Sequence, residues 1–179
     1  MCKQCEINPV YEFTNKRKLC KTCFIRWFNK KILYTNRKFK LIQKNDLIGY
    51  SNSGNFRDVV LENILLLFSE KFFIETIKLP NKRKPNKIAL GSTTDSEAEK
   101  IVFMFLEQET ISKFFPIQKK QGKIFITPLC LFLDKEVLLY AKLKKLKFKK
   151  IKKKNTFIDK LEKNHPEIKR AIIKNFFKE

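Results

Sequence analysis

Acidic residues are scarce: 18 Asp+Glu stand against 40 Lys+Arg in 179 residues, a formal charge of +22. That deficit argues against a cationic partner and for a polyanion, either nucleic acid or an acidic membrane surface. An AT-biased genome would also enrich Lys, Asn, Ile and Phe, so charge alone does not choose a function. Long apolar runs are absent as well. Runs such as residues 64–68 fall far short of the roughly 18 residues that a membrane-crossing helix requires. Met1-Cys2-Lys3-Gln4-Cys5 offers neither the apolar run nor the cleavage site of a secretory signal. A cytoplasmic protein with no membrane partner is expected. Histidine occurs once, as His165 before a proline, where it reads as a helix boundary rather than a catalyst. No internal repeat is evident.

What is present suffices for a folded core. Hydrophobic residues make up 43% of the chain and Phe occurs 18 times, far from the composition of a disordered tail. The length suits one domain with a small appended module. In a reducing compartment, paired cysteines hold metal more often than they form disulfides. Cys2 and Cys5 form one C-x2-C pair, Cys20 and Cys23 another, and the fourteen residues between them fit a short hairpin around a tetrahedral ion. Four thiolates fill the shell of a zinc ion, which would then be structural rather than catalytic. Cys130, the remaining cysteine, follows a proline in an apolar stretch and reads as a small buried hydrophobe.

Beyond the second pair, Phe24, Trp27, Phe28 and Ile32 recur at helical spacing among Arg26, Lys30 and Lys31. The pattern predicts a helix that fixes the ribbon to the next unit and leaves a basic face to solvent or RNA. Residues 46–50 read as a short buried strand, 51–55 as a small-residue turn, and Val60, Leu61, Ile64, Leu65 and Phe68 as one face of a helix. Residues 72–77 and 87–90 are strand-like, separated by a Pro/Lys/Asn loop. Thr94-Asp95-Ser96-Glu97 has capping-box spacing ahead of a helix with Ala98, Ile101, Val102, Phe105 and Leu106 inward. Residues 124–127 suggest a further strand. A helix from about Asp134 follows, with Val137, Tyr140, Leu143 and Leu146 inward, and two short helices broken at His165-Pro166 complete the chain. From 142 to 154, nine of thirteen residues are lysine. Such a run is either a solvated face or a phosphate-tracking surface, for which Lys149, Lys150, Lys152 and Lys153 are the candidates.

The ribbon Cys2-x2-Cys5-x14-Cys20-x2-Cys23-Phe24, with its basic aromatic helix, resembles the N-terminus of the tRNA 2-thiolation proteins. That family comprises a catalytic adenylating subunit and a degenerate second subunit of the cytoplasmic tRNA 2-thiolation protein 2 type. The likeness continues through residues 46–58, where the family has a strand and its S-G-G-x-D-S pyrophosphate loop. It extends to Gly91-Ser92-Thr93-Thr94-Asp95-Ser96-Glu97-Ala98, similar to a G-x-x-x-D-x-x-A helix start, and to Pro128-Leu129, Lys135-Glu136-Val137 and Tyr140-Ala141. The resemblance implies an α/β fold: a zinc ribbon and linking helix over 1–36, then a reduced Rossmann-like, pyrophosphatase-loop sheet with a basic helical C-terminus over 37–179.

Departures from the family pattern bear on activity. With Ser53-Gly54 on the first S-G of the loop, Asn55 replaces the second Gly, Phe56 and Arg57 fill the next positions, and Asp58 stands where a Ser is expected. A phosphate cradle needs bare backbone amides, and Asp58 sets a negative charge there, which argues against ATP as a cofactor. The catalytic subunit also has internal cysteines and a second, C-terminal ribbon, whereas this chain has only Cys130 beyond Cys23. The resemblance therefore implies a shortened, non-catalytic second subunit. Its partners would be tRNA for Lys, Glu and Gln, the catalytic thiolation subunit in a heterodimer, and a ubiquitin-like sulfur carrier. A divergent catalytic subunit and a zinc-ribbon RNA-binding or ribosome-associated protein are the alternatives.

Overall fold

The structure is a computed structural model that describes residues 1–5, 7–108, 116–150 and 156–176. Two short strands, β1 (Tyr11–Glu12) and β2 (Lys18–Leu19), pair antiparallel with Tyr11 opposite Leu19. They form the hairpin expected between the cysteine pairs. Helix α1 (Lys21–Phe39) begins with Cys20 as its N-cap and ends at Lys40 in the left-handed region. Its buried face, with Phe24, Phe28, Ile32 and Thr35, packs on the rest of the chain. Phe28 stacks on Tyr140 at a centroid distance of 4.1 Å and lies 4.3 Å from Phe132. Cys2, Leu19 and Cys20 belong to the same core cluster as Ile48, Leu61 and Tyr140, so the ribbon and the sheet share one interior.

The second sheet has five strands in the order β4-β3-β5-β7-β6, where β3 is Leu47–Tyr50, β4 Glu75–Lys78, β5 Lys87–Ala89, β6 Ile117–Lys120 and β7 Lys123–Ile126. All neighbours are parallel except the β6–β7 edge pair. The α/β class thus holds, with a mostly parallel sheet as the reduced Rossmann-like reading requires. The helices are α2 (Phe56–Phe72), α3 (Thr94–Leu106), α4 (Asp134–Leu143), α5 (Phe157–Asn164) and α6 (Ile168–Phe176). Because β4 and β5 flank β3 on opposite sides, the C-terminal end of β3 lies at a topological switch point, where open α/β sheets form ligand crevices.

Three local expectations shift. Helix α2 runs through Phe72, whose ring lies 5.3 Å from that of Phe68 one turn earlier, and Phe73 caps it at φ 53. The strand therefore starts at Glu75, because helical packing of Phe72 prevails over the β preference of the Phe-Phe-Ile run. The capping box of α3 is one residue earlier than expected: the Ser96 hydroxyl accepts from the Thr93 N–H at 2.8 Å and Thr93 Oγ1 accepts from the Ser96 N–H at 3.4 Å. Thr94 instead donates to the Cys130 carbonyl at 2.8 Å. Ala98 and Ile101 are buried against Ile158 and Ile173, with Val102 half-buried beside them, but Phe105 and Leu106 are 70% and 64% exposed. The cluster supplied by α5 and α6 ends before the last turn of α3. Strand β6 was not expected, because an edge strand with Lys119 and Lys120 exposed carries little apolar signal.

Candidate functional site

The four N-terminal cysteines converge. All are free thiols, and their Sγ atoms lie within 4.8 Å of one another, with Cys5 3.3 Å from Cys20 and 3.6 Å from Cys23. A tetrahedral ion with metal–sulfur bonds of about 2.3 Å holds its sulfurs about 3.8 Å apart, so the set fits one metal ion. The thiols by themselves oppose a common ionisation. The Gln4 backbone amide brings Cys2 down to about 6. Burial, followed by the neighbouring thiols of Cys5, Cys20 and Cys2, pushes Cys23 up to about 12. A bound cation removes that conflict, because it stabilises all four thiolates at once. The hairpin supplies the geometry: the Cys2 N–H donates to the Ile7 carbonyl at 2.9 Å and Lys3 to Lys18 at 3.1 Å, which closes the first cysteine pair onto β2.

A second site lies at the C-terminal ends of the parallel strands, where the N-termini of α2, α3 and α4 meet. The turn after β3 places Ser53, Gly54, Asn55, Phe56, Arg57 and Asp58 around the start of α2. Gly54 has φ +85, a conformation that costs glycine nothing. Asn55 is the N-cap of α2 and accepts from the Asp58 N–H at 2.9 Å. Asp58 then folds back over the turn. Its Oδ2 accepts from the Ser53 N–H at 3.1 Å, the Ser53 hydroxyl at 2.7 Å and the Asn55 amide at 2.7 Å. Three donors of the turn are thus engaged by a carboxylate of the chain. Gly91 at the end of β5 lets the strand approach this group, since a Cβ there would meet Asp58 Oδ1 at 2.7 Å.

The neighbouring helix starts are acidic too. Arg57 reaches away from the turn to bind Asp134 of α4 through both carboxylate oxygens, one at 2.8 Å. Thr93 donates to Asp134 at 2.7 Å, and the Asp134 N–H donates to Asp95 of α3 at 2.7 Å. Asp95 in turn binds Lys169 of α6, whose ammonium is 2.7 Å from Asp95, 2.7 Å from Asp159 and 2.6 Å from Glu162. Burial opposes the charge on Lys169, but the hydrogen bonds it donates to Asp159, Asp95 and Glu162 outweigh it and hold its pKa above the ordinary lysine value. Asp95, Asp159 and Glu162 are close enough to suggest a metal site, yet the lysine already supplies the cation. Glu136, fully buried, accepts from Arg170 at 2.7 Å, from the Leu133 N–H at 3.0 Å, from Tyr11 at 3.3 Å and from Lys31 at 3.4 Å. It ties the ribbon, α1, α4 and α6 together. Lys169 was not singled out by sequence, and Glu136 entered only through the Lys135-Glu136-Val137 match, with no role attached. Lys169 lies four residues before Ile173, on the apolar face of α6, and that position was a usable signal.

Cys130 is fully buried, and burial pushes its thiol up to about 12, the state of a core residue. Of the candidate RNA-binding lysines, Lys149 and Lys150 are exposed, whereas Lys152 and Lys153 lie outside the described residues. Lys149 meets the turn directly. Its N–H donates to the Gly54 carbonyl at 2.7 Å, and its side-chain carbons pass over Gly54. Phe148 accompanies it, with its ring 6.4 Å from that of Phe56. If these lysines touch RNA phosphates, Lys149→Ala/Lys150→Ala lowers the slope of log affinity against log salt by about one to two, with the melting temperature as control. An equal slope returns the segment to a solvated face.

The sheet, the helix starts and the cysteine hairpin define a class: an α/β protein with a closed switch-point loop and a four-cysteine N-terminal module. The fold is similar to that of the U34-tRNA thiolase NcsA from Methanococcus maripaludis, solved with its 4Fe-4S cluster. The TM-score is 0.74 at 17% identity, over 98% of this chain and 85% of that one. No protein family and no curated protein matches the chain. Among the described residues no helix is long and apolar enough to cross a membrane.

Proposed function

We propose that the chain is a non-catalytic, cytoplasmic partner in 2-thiolation of the wobble uridine of tRNA, working as a heterodimer with a catalytic thiolation subunit. The observation that carries the reading is Asp58: its carboxylate engages three donors of the loop, from Ser53 and Asn55, in which a pyrophosphatase-loop enzyme would hold a nucleotide phosphate. At the adjacent helix starts Arg57 is bound to Asp134 and Lys169 to Asp95, so these cations serve the chain's own carboxylates rather than an anion. The overall charge of +22 suits tRNA, and the fold is shared with a tRNA thiolase. The N-terminal cysteines hold structural zinc in this reading. Four sulfurs this close suit one ion better than a cluster, whose several metal atoms would spread them.

The fold likeness over nearly the whole chain favours a second reading, in which the protein is itself a divergent thiolase. The test is nucleotide mass spectrometry of bulk tRNA after depletion, together with ATP turnover by the isolated protein. Lower wobble 2-thiouridine without turnover by the lone chain is expected. Normal 2-thiouridine sinks the proposal, and robust ATP turnover transfers the case to the second reading. A Cys130→Ser form should restore thiolation fully, since that thiol is core.

A further inference from the structure

Helix α1 contains six basic residues and no acidic one in its 19 residues. Surface helices ordinarily intersperse the two signs, because like charges at i,i+4 destabilise a helix by about 0.2–0.5 kcal/mol per pair. Lys31 is committed to Glu136, and Lys38 lies 5.4 Å from the centroid of the Phe39 ring. Arg26, Lys30 and Arg37 are exposed and make no ion pair among the described residues. At 100° per residue, these three and Tyr34 fall within roughly 80° of the circumference, and Arg26 to Arg37 spans about 16 Å of helix axis. Tyr34 is 52% exposed in the middle of this stripe. The opposite face of α1 is spent on the core, through Phe24, Phe28, Ile32 and Thr35.

We propose that this solvent face, Arg26-Lys30-Tyr34-Arg37, docks a single-stranded RNA loop, with the three cations on phosphates and Tyr34 stacked on an unpaired base. The inference rests on the tRNA reading above and adds the surface and the RNA element to it. Charge complementarity selects a polyanion. The lone aromatic among cations selects unpaired nucleotides, because a splayed base can stack on a tyrosine while the bases of an A-form duplex are stacked inside. An acidic membrane is a poorer fit. Interfacial helices insert an apolar face, and the apolar face of α1 is already buried.

The test measures binding of the intact protein to a stem–loop RNA and to a blunt duplex of equal length across a salt series. Arg26→Ala/Lys30→Ala/Arg37→Ala should reduce the salt slope for the stem–loop by about two. Tyr34→Ala should weaken stem–loop binding at least about fivefold and leave duplex binding unchanged, whereas Tyr34→Phe should bind like wild type. Metal content and melting temperature, expected unchanged, confirm the fold. If wild type binds RNA and the triple variant keeps the full slope, the stripe is overturned while the tRNA reading stands. If wild type binds neither RNA at low salt, both fall. Loss of binding to phosphatidylserine vesicles by the triple variant, with RNA binding intact, overturns the proposal in favour of a membrane.

Discussion

Cys20→Ser and Cys23→Ser chains are expected to come out of purification without metal and with the N-terminal hairpin unfolded. Both thiols are buried, and they sit in the same core cluster as Leu19, Phe24 and Phe28. The hairpin cannot stand on its own hydrogen bonds, since β1 and β2 are two residues each and an isolated two-stranded hairpin is marginal in water. Structural zinc contributes about 10–16 kcal/mol in finger-sized peptides, as much as the whole stability of a typical domain. Its loss should therefore release β1, β2 and the first turns of α1, and with them the contact of Tyr11 with Glu136. Hydrogen exchange should show protection lost over the hairpin and the start of α1 but retained in β3, β5 and β7. Elemental analysis of freshly purified wild type should give one zinc per chain. Absence of metal defeats the ribbon reading, and iron in place of zinc defeats the assignment of the ion.

Lys169→Met should destabilise the protein by roughly 3–5 kcal/mol, the usual cost of removing one partner from a buried charge cluster. Met keeps most of the side-chain volume, so the loss reports on charge rather than on a cavity. In wild type the raised pKa of Lys169 makes its contribution fully present below the ordinary lysine pKa of about 10.4, and lost only as pH rises beyond it. Without the ammonium, Asp95, Asp159 and Glu162 face one another as like charges with no cation between them. Protonation then favours the folded variant. The gap between wild type and Lys169→Met in urea-unfolding free energy should accordingly narrow as pH falls below about 5. A gap that stays constant with pH would show that the lysine acts through packing alone.

The four-cysteine hairpin was legible because metal ligation would fix both residue type and spacing, and the thiols do converge. Helices α1 and α2 were legible for a related reason, since Phe24, Phe28 and Ile32, and Val60, Ile64 and Phe68, repeat at helical period and are all buried. The matching segments Leu129, Val137, Tyr140 and Ala141 prove to be fully buried core positions, so they speak for the fold rather than for chemistry. What could not be read was pairing among charges. Asp134, Glu136 and Lys169 look like any charged residue in a chain with 40 basic and 18 acidic groups, and only the approach of distant elements in the fold gives them partners. The turn at 53–58 was legible as altered. The self-closure by Asp58 depends on the backbone path that returns its carboxylate to Ser53, which composition does not encode.

Lys169 and Arg170 are adjacent in α6, yet they serve carboxylates made 74 and 34 residues earlier, Asp95 and Glu136. During synthesis the parallel strands can pair, and the four-cysteine hairpin can form, well before α6 exists. Until then the starts of α3 and α4 carry carboxylates without these cations, and the nascent chain waits as a partly assembled intermediate whose sheet is complete and whose helix ends repel one another. A premature stop or a proteolytic nick ahead of α6 would strand the protein in that state. The surfaces of Ala98, Ile101 and Cys130 that α5 and α6 bury would then lie open, and the cell would meet such a fragment as a substrate for chaperones and proteases.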